Sequence, residues 1–238
     1  MKKTALLSIF ALINLLVYSQ DLTTVLEKTS TALGLHARES ASGLQYKGYA
    51  VMNDTEAKIP FKMTQSRPDK IRIETTIFGF KSIQTYNGSE AWLLSPTKGM
   101  EAVPANERDM EFVAAATAID GPFSYNKDNK YTLKYMGEQT YQDKSAELVM
   151  WTSKEEKLKY YINTDNYRIT AVKYEYHKNG GWYSMEYRVR SYTKFEGSYF
   201  PTEVSAVING VEMITVYVED IRKLDKIEPE QFEKPSWE

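Results

Sequence analysis

The chain reads as a mainly β protein with an α lid, an α+β fold in which a single curved antiparallel sheet of about eleven strands forms an incompletely closed barrel covered by short helices. Three observations lead there. Long stretches alternate apolar and polar residues with a period of two, the pattern of strands with one wet face. Short turn sequences, among them Asn53-Asp54-Thr55, Thr164-Asp165-Asn166, Asn179-Gly180-Gly181, Glu196-Gly197 and Asn209-Gly210, link successive strands and so make an antiparallel meander. Only two segments of residues 20–238 carry a helical pattern, one at the start and one mid-chain.

Taken in order, residues 1–19 read as a leader: Lys2 and Lys3 form its positive end, Ala5 to Val17 its apolar stretch, and Val17-Tyr18-Ser19 a small-residue cleavage site. A membrane anchor is the competing reading, but this apolar stretch is broken by Ser8 and Asn14 and falls short of the ~20 residues a spanning helix needs. Asp21 to Arg38 follows as a first helix, with Leu22, Val25, Leu26 and Leu33 near one face and Asp21 able to cap the free amides at its start. Strands Gln45–Met52 and Lys58–Gln65 flank the turn at Asn53. In the next strand Ile71, Ile73 and Ile77 point one way and Lys70, Arg72, Glu74 and Thr76 the other. Asn87-Gly88 predicts a tight type I′ turn pairing Ser82–Tyr86 with Glu90–Leu94.

From Pro104 the pattern turns helical. Asn106 can cap a segment holding Met110, Phe112, Val113 and a run of alanines before the stop Asp120-Gly121-Pro122. This segment is apolar nearly all round, so it either plugs one end of the sheet or covers something apolar as a lid. Strands resume at Tyr131–Met136 and continue through Ala146–Trp151, Lys157–Asn163, Arg168–Tyr176, Trp182–Phe195, Phe200–Ile208 and Val211–Asp220. There is no Pro-rich or Gly/Ser linker and no repeat of period twenty to fifty, so residues 20–238 are expected to form one domain.

Composition narrows the function. Cysteine is absent, which removes disulfides, thiolate metal sites, cysteine nucleophiles and the lipid-attachment residue of a bacterial lipoprotein. Removing Lys2 and Lys3 leaves 28 basic against 32 acidic residues, a poor balance for binding nucleic acid. His36 and His177 lie far apart with no metal-ligand spacing, and no GxSxG, P-loop or GxGxxG occurs. Ser, Asp and Tyr residues are scattered without a constellation. A non-enzymatic protein without cofactor or metal is expected.

What remains is the apolar lining. Phe61, Met63, Ile71, Ile73, Trp92, Leu94, Tyr174, Tyr187, Val189, Ile214 and Val216 fall at alternate strand positions, on a face expected to look inward. They either fill one another's space as core or line a cavity, which a sheet of this size can leave inside. Eight methionines after Met1, including Met63, Met110, Met185 and Met213, would make such a wall deformable.

Several motifs appear in collinear order: Arg67-Pro68-Asp69, the Tyr86-Asn87-Gly88 turn, Trp92, Ser95-Pro96, Tyr160-Tyr161-Ile162-Asn163-Thr164-Asp165, Gly197-Ser198-Tyr199-Phe200-Pro201 and Phe232-Glu233-Lys234-Pro235. Together they resemble the LolA-type periplasmic carriers of outer-membrane lipoproteins, over roughly Leu22 to Pro235. The resemblance implies an unclosed β-barrel with a helical lid, and a soluble monomer in the periplasm of a Gram-negative bacterium. It further implies a chaperone-like carrier that takes acylated lipoproteins or lipid from an inner-membrane release complex to an outer-membrane receptor. By motif position Arg67 corresponds to the arginine that closes the lid of the empty carrier by hydrogen bonding to lid carbonyls; its other reading is a solvated turn residue near Asp69. The insertions are longer than in better-known carriers, and Asn106–Ile119 is only weakly similar to the family's lid. A sensor of envelope lipids or proteins, built on the same fold, is the alternative.

Overall fold

The computed structural model describes residues 21–39, 42–66, 70–105, 132–154, 156–178 and 180–237. Two short helices come first, α1 (Leu22–Leu33) and α2 (Leu35–Glu39). Six strands follow: β1 (Gly43–Met52), β2 (Ala57–Ser66), β3 (Lys70–Ile77), β4 (Phe80–Tyr86), β5 (Ala91–Leu94) and β6 (Val103–Pro104). A second run comprises β7 (Thr132–Tyr141), β8 (Lys144–Thr152), β9 (Glu156–Asn163), β10 (Ile169–Lys178), β11 (Gly181–Phe195), β12 (Ser198–Ile208) and β13 (Val211–Leu224), and then a 3₁₀ turn over Pro229–Phe232. All thirteen strands form one antiparallel sheet in the order β6-β5-β4-β3-β2-β1-β13-β12-β11-β10-β9-β8-β7. The two sequence runs meet where β1 pairs with β13, and β6 and β7 are the edge strands among the described residues.

The sheet is open and curved, and α1 shows which way it bends. Val25 and Leu33 of the helix join one buried cluster with Val149 of β8, Leu158, Tyr160 and Ile162 of β9, and Ile169 and Val172 of β10. Leu133 of β7, Tyr192 of β11 and Tyr199 of β12 pack against the same cluster. Six neighbouring strands laid flat would span about 24 Å, far wider than one helix at about 10 Å, so the sheet curls around α1. The helix-bearing face is the concave one. Sharp bending also needs bulges, and one falls at Lys47/Gly48, where a side chain on Gly48 would lie 1.9 Å from the Tyr217 carbonyl oxygen.

Local expectations meet three corrections. The first helix ends earlier than Arg38, because Gly34 takes a left-handed conformation (φ +66°) and caps α1 with its amide on Ser30 and Thr31. No other residue fits there: a Cβ at Gly34 would come within 2.3 Å of the Gly197 carbonyl oxygen in the β11–β12 turn. The Asn87-Gly88 turn is not type I′. Asn87 Oδ1 accepts from the amides of Ser89 (3.0 Å) and Glu90 (2.8 Å), so its side chain mimics backbone and opens a four-residue loop. The paired positive φ values of type I′ turns occur instead at Phe78-Gly79, Gln142-Asp143, Glu196-Gly197 and Asn209-Gly210. Strand number exceeds the expected eleven partly through β6, whose two residues carry no period to read.

Candidate functional site: the concave face

Directly opposed residues of antiparallel strands share a face, so the register assigns each side chain. Met63 opposes Tyr46 and Ile73, Ile71 opposes Gln65, and Phe61 opposes Gly48. On the other side of β1, Val216 opposes Ala50 and Val204, Ile214 opposes Ala206, Val189 opposes Val204, and Tyr187 opposes Ala206 and Val172. Tyr174 faces Leu158, which belongs to the α1 cluster. Phe61, Met63, Ile71, Ile73, Tyr174, Tyr187, Val189, Ile214 and Val216 therefore share the concave face.

They do not share one environment there. Tyr174 packs against the α1 cluster and its hydroxyl donates to Glu156 Oε1 at 2.9 Å. Phe61 joins Leu44, Tyr46 and Phe200, with Met63 and Val216 against them. Ile71 and Ile73 are buried beside Met63 and Tyr86. Ile214 and Val216 are only half-buried. Arg38 of α2 lies over the Phe200 ring at 4.1 Å and donates to the Tyr199 carbonyl, which ties the helices to β12. Ser198 Oγ donates to the Gly34 carbonyl at 2.7 Å and fixes the other end of that contact.

Trp92 and Leu94 are placed on the opposite, convex face. Trp92 opposes Thr85 and Leu94 opposes Ile83, one position out of step with Ile71 and Ile73. Alternation reveals that one side of a strand is buried; it does not reveal which side. Here the convex face is covered by the C-terminal segment: Trp237 packs on Ile83, Leu94 and Ala102, and Lys234 lies over the Trp92 ring at 5.3 Å. Polar clasps hold that segment, with Arg72 Nη1 donating to the Gln231 carbonyl (3.2 Å), Thr85 Oγ1 to the Glu233 carbonyl (3.0 Å) and Asn87 Nδ2 to Glu233 Oε2 (2.9 Å). Beneath them Glu74 accepts from Arg72 (3.0 Å), Lys62 (2.9 Å) and Lys81 (3.2 Å). Burial opposes ionisation of Glu74, but these three cations outweigh it and hold the carboxyl at about 2. Arg67, Met110, Phe112 and Val113 lie outside the described residues, so neither the lid arginine nor the mid-chain helix enters this description.

A rim of exposed apolar side chains escaped the sequence reading. Met52, Ile77, Phe78, Phe80, Trp182, Tyr183, Val211 and Met213 all flank turns at one end of the strands, the end of the β1–β2, β3–β4, β10–β11 and β12–β13 connections. Phe78 is 89 % exposed at the tip of its hairpin and sits at φ +51°, a conformation that bulky residues rarely adopt. The available signal was Ile77-Phe78-Gly79-Phe80, an apolar run where turn chemistry calls for polar residues. Among the described residues no group of His, Asp or Glu is arranged to hold a metal ion, and no helix is long and apolar enough to cross a membrane.

Against solved structures the chain is similar to a LolA superfamily protein from Nitrosomonas europaea, at 15% identity over 91% of this chain and 99% of that one, with a TM-score of 0.61. A DUF1329 family protein from Desulfovibrio piger matches at 11% identity over 87% and 96% of the two chains, with a TM-score of 0.59. A domain described as an outer membrane lipoprotein-sorting protein from Vibrio parahaemolyticus matches at 14% identity over 87% and 97%, with a TM-score of 0.56. The fold is LolA-like. No protein-family model and no curated protein sequence matches the chain. At these identities the LolA-like likeness concerns architecture: an open antiparallel sheet with helices on its concave face.

Proposed function

We propose that this protein is an exported, non-enzymatic carrier that takes up acyl chains of a lipoprotein or similar amphiphile on its concave face and hands them on between membranes. The observation carrying this reading is the register, which gathers nine bulky apolar residues on the concave face of an open LolA-like sheet. Of these, Phe61, Met63, Ile71, Ile73, Ile214 and Val216 belong to strands outside the α1 cluster. Each methylene moved from water to such a face is worth about 0.8 kcal/mol, so an ordinary acyl chain gains on the order of 10 kcal/mol. Hand-over requires that this be reversible, and the exposed rim gives cargo an apolar path off the ends of the strands. The description of the Vibrio protein as lipoprotein-sorting agrees with the reading. Residues 1–19 would be removed on export, and Arg67 would set the closed state of the lid by the family resemblance.

The two faces supply the test. Met63→Glu puts a charge on the concave wall and should reduce uptake of a fluorescent fatty acid at least ten-fold while the protein remains folded, since Met63 is only half-buried. Trp92→Glu, on the convex face, should leave uptake unchanged. Equal loss in both variants, or none in Met63→Glu, would transfer the reading to the alternative, a sensor module that binds envelope proteins.

A further inference from the structure

A pocket of about 300 Å³ opens around the β7–β8 turn, with Lys144, Ala146 and Asn163 on the convex side of the sheet. Its described lining includes three cations, Lys144, Arg188 and Arg190, and no carboxylate. That is unusual placement in a chain whose net charge is −2. The compensating acids stand beside these cations. Glu186 accepts from Arg188 Nε at 2.5 Å and from the Tyr141 hydroxyl at 2.7 Å, while Arg190 pairs with Glu203 (3.6 Å) and Glu212. Burial works against the charge on Glu186, yet its bonds to Tyr141 and Arg188 keep the carboxyl below its usual range, so it holds Arg188 in place as an anion.

The groups left over are all donors. Bonding to Glu186 through Nε leaves the terminal amino groups of Arg188 without a carboxylate partner among the described residues. The Lys144 side chain has no hydrogen-bond or ion-pair partner among the described residues. Asn163 Oδ1 is committed to the amides of Asp165 (2.9 Å) and Asn166 (3.1 Å), which fixes the side-chain orientation and leaves Nδ2 as a donor. Beside them Tyr141 and Tyr161 stack at 4.4 Å, an apolar slab next to the charged group. The turn that presents Gln142 and Lys144 is also the described two-residue hairpin turn lacking glycine: Gln142 and Asp143 both take positive φ (47° and 61°), whereas Phe78, Glu196 and Asn209 are each followed by Gly. Such a backbone is strained, and a Gly at the second position would relieve it.

We propose that this pocket binds the phosphate group of a small molecule, with Lys144, Arg188 and Asn163 as donors and the Tyr141–Tyr161 slab against its organic part. Several convergent cations suit a doubly charged phosphate better than a single carboxylate, and the planar guanidinium of Arg188 can bond two of its oxygens. Val189 borders both this pocket and the concave face, but the donors named here lie apart from the acyl-binding residues, and the proposal does not depend on that reading. The source is either a soluble phosphate ester or a lipid headgroup.

The test is NMR titration of the isotope-labelled chain spanning residues 20–238, first with inorganic phosphate at constant ionic strength and then with phosphatidylcholine vesicles with or without phosphatidylglycerol. Saturable shifts in the amides of residues 141–146 and 163, weakened roughly ten-fold in Lys144→Glu as expected for one lost charge-assisted bond, support the site. Lys144 is exposed, so this variant keeps its fold; Arg188→Lys, which keeps the charge and loses the fork, should weaken binding less. A response to the anionic vesicles alone, lost in Lys144→Glu, assigns the phosphate to a lipid headgroup. Binding that Lys144→Glu leaves intact in both arms, or no localised shift in either, overturns the proposal. Fatty-acid uptake should be the same in Lys144→Glu as in the parent chain.

Discussion

The two halves of the sheet are covered on opposite faces by different segments of the chain. In β7–β10 α1 covers the concave side, with Val25 and Leu33 against Val149, Tyr160, Ile162 and Val172. In β3–β5 the C-terminal segment covers the convex side instead, with Phe232 and Trp237 over the strands that carry Ile83 and Leu94. A sheet strand needs at least one covered face, and each half has found a different cover. The consequence is that in β1–β3 and β13 the concave face can be apolar without α1 being its partner. The proposed binding surface lies where the internal helix does not reach.

The largest expected effect separates these covers by stability and binding together. Ile162→Ala removes a fully buried side chain beneath α1 and should cost about 2–5 kcal/mol, read as a lower denaturant midpoint, with fatty-acid affinity nearly unchanged in the folded fraction. That pattern is the reverse of the one expected for Met63→Glu. If Ile162→Ala were instead to abolish uptake with little loss of stability, the α1 half would be the binding surface, and the assignment of the halves would have to be exchanged.

The difference between the halves also explains what the sequence disclosed. Period-two runs such as Lys70–Ile77 gave the strands, and Asp21 gave the helix start, because each depends on residues near one another in the chain. Thr24 does donate its amide to Asp21 Oδ1, at 2.7 Å. The facing of Trp92 and Leu94 was not legible, since it depends on a tail some 140 residues later that clasps Thr85 and Asn87. Gly34 looks in sequence like a helix residue of low propensity; only its approach to the Gly197 carbonyl makes it a stop. The charged pocket was equally hidden, because it joins residues of five strands, and no local pattern relates Lys144 to Arg188.

Acid should act on the tail-covered half first. Glu74 has a carboxyl held at about 2 against an ordinary 4.5, so its contribution is fully present above pH 4.5 and is lost as pH falls from there towards 2. After discounting for solvent screening this amounts to on the order of 1–2 kcal/mol. Arg72 bonds both Glu74 and the Gln231 carbonyl, so protonation should also loosen the tail. Of the four tryptophans, Trp92 and Trp237 report on this half and Trp151 on the α1 half. Fluorescence of single-tryptophan variants should change for Trp237 at a higher pH than for Trp151, and Glu74→Gln should remove that difference. Coincident transitions in the parent chain would mean that the halves unfold as one unit.

The smallest effect concerns how α1 itself is held. Asp21 is exposed, and its bond to the Thr24 amide lowers its carboxyl from the ordinary value, which marks the charged form as the better cap. Below that lowered value the cap is protonated and weakened, so its stabilisation is present near neutral pH and declines in acid. Asp21→Ala should lower the melting temperature by about 2–4 °C at neutral pH, with a smaller difference from the parent chain in acid. Asp21→Asn, which keeps an acceptor, should recover most of the loss and flatten its dependence on pH. The reason to expect so little is that Val25 and Leu33 anchor the helix by burial against the apolar surface of three strands, whereas the cap satisfies a single amide. A loss comparable to that of Ile162→Ala would reverse that ranking: α1 would then be a marginal element held by its first turn, and the concave face beneath it would be open to the same ligands as its neighbour.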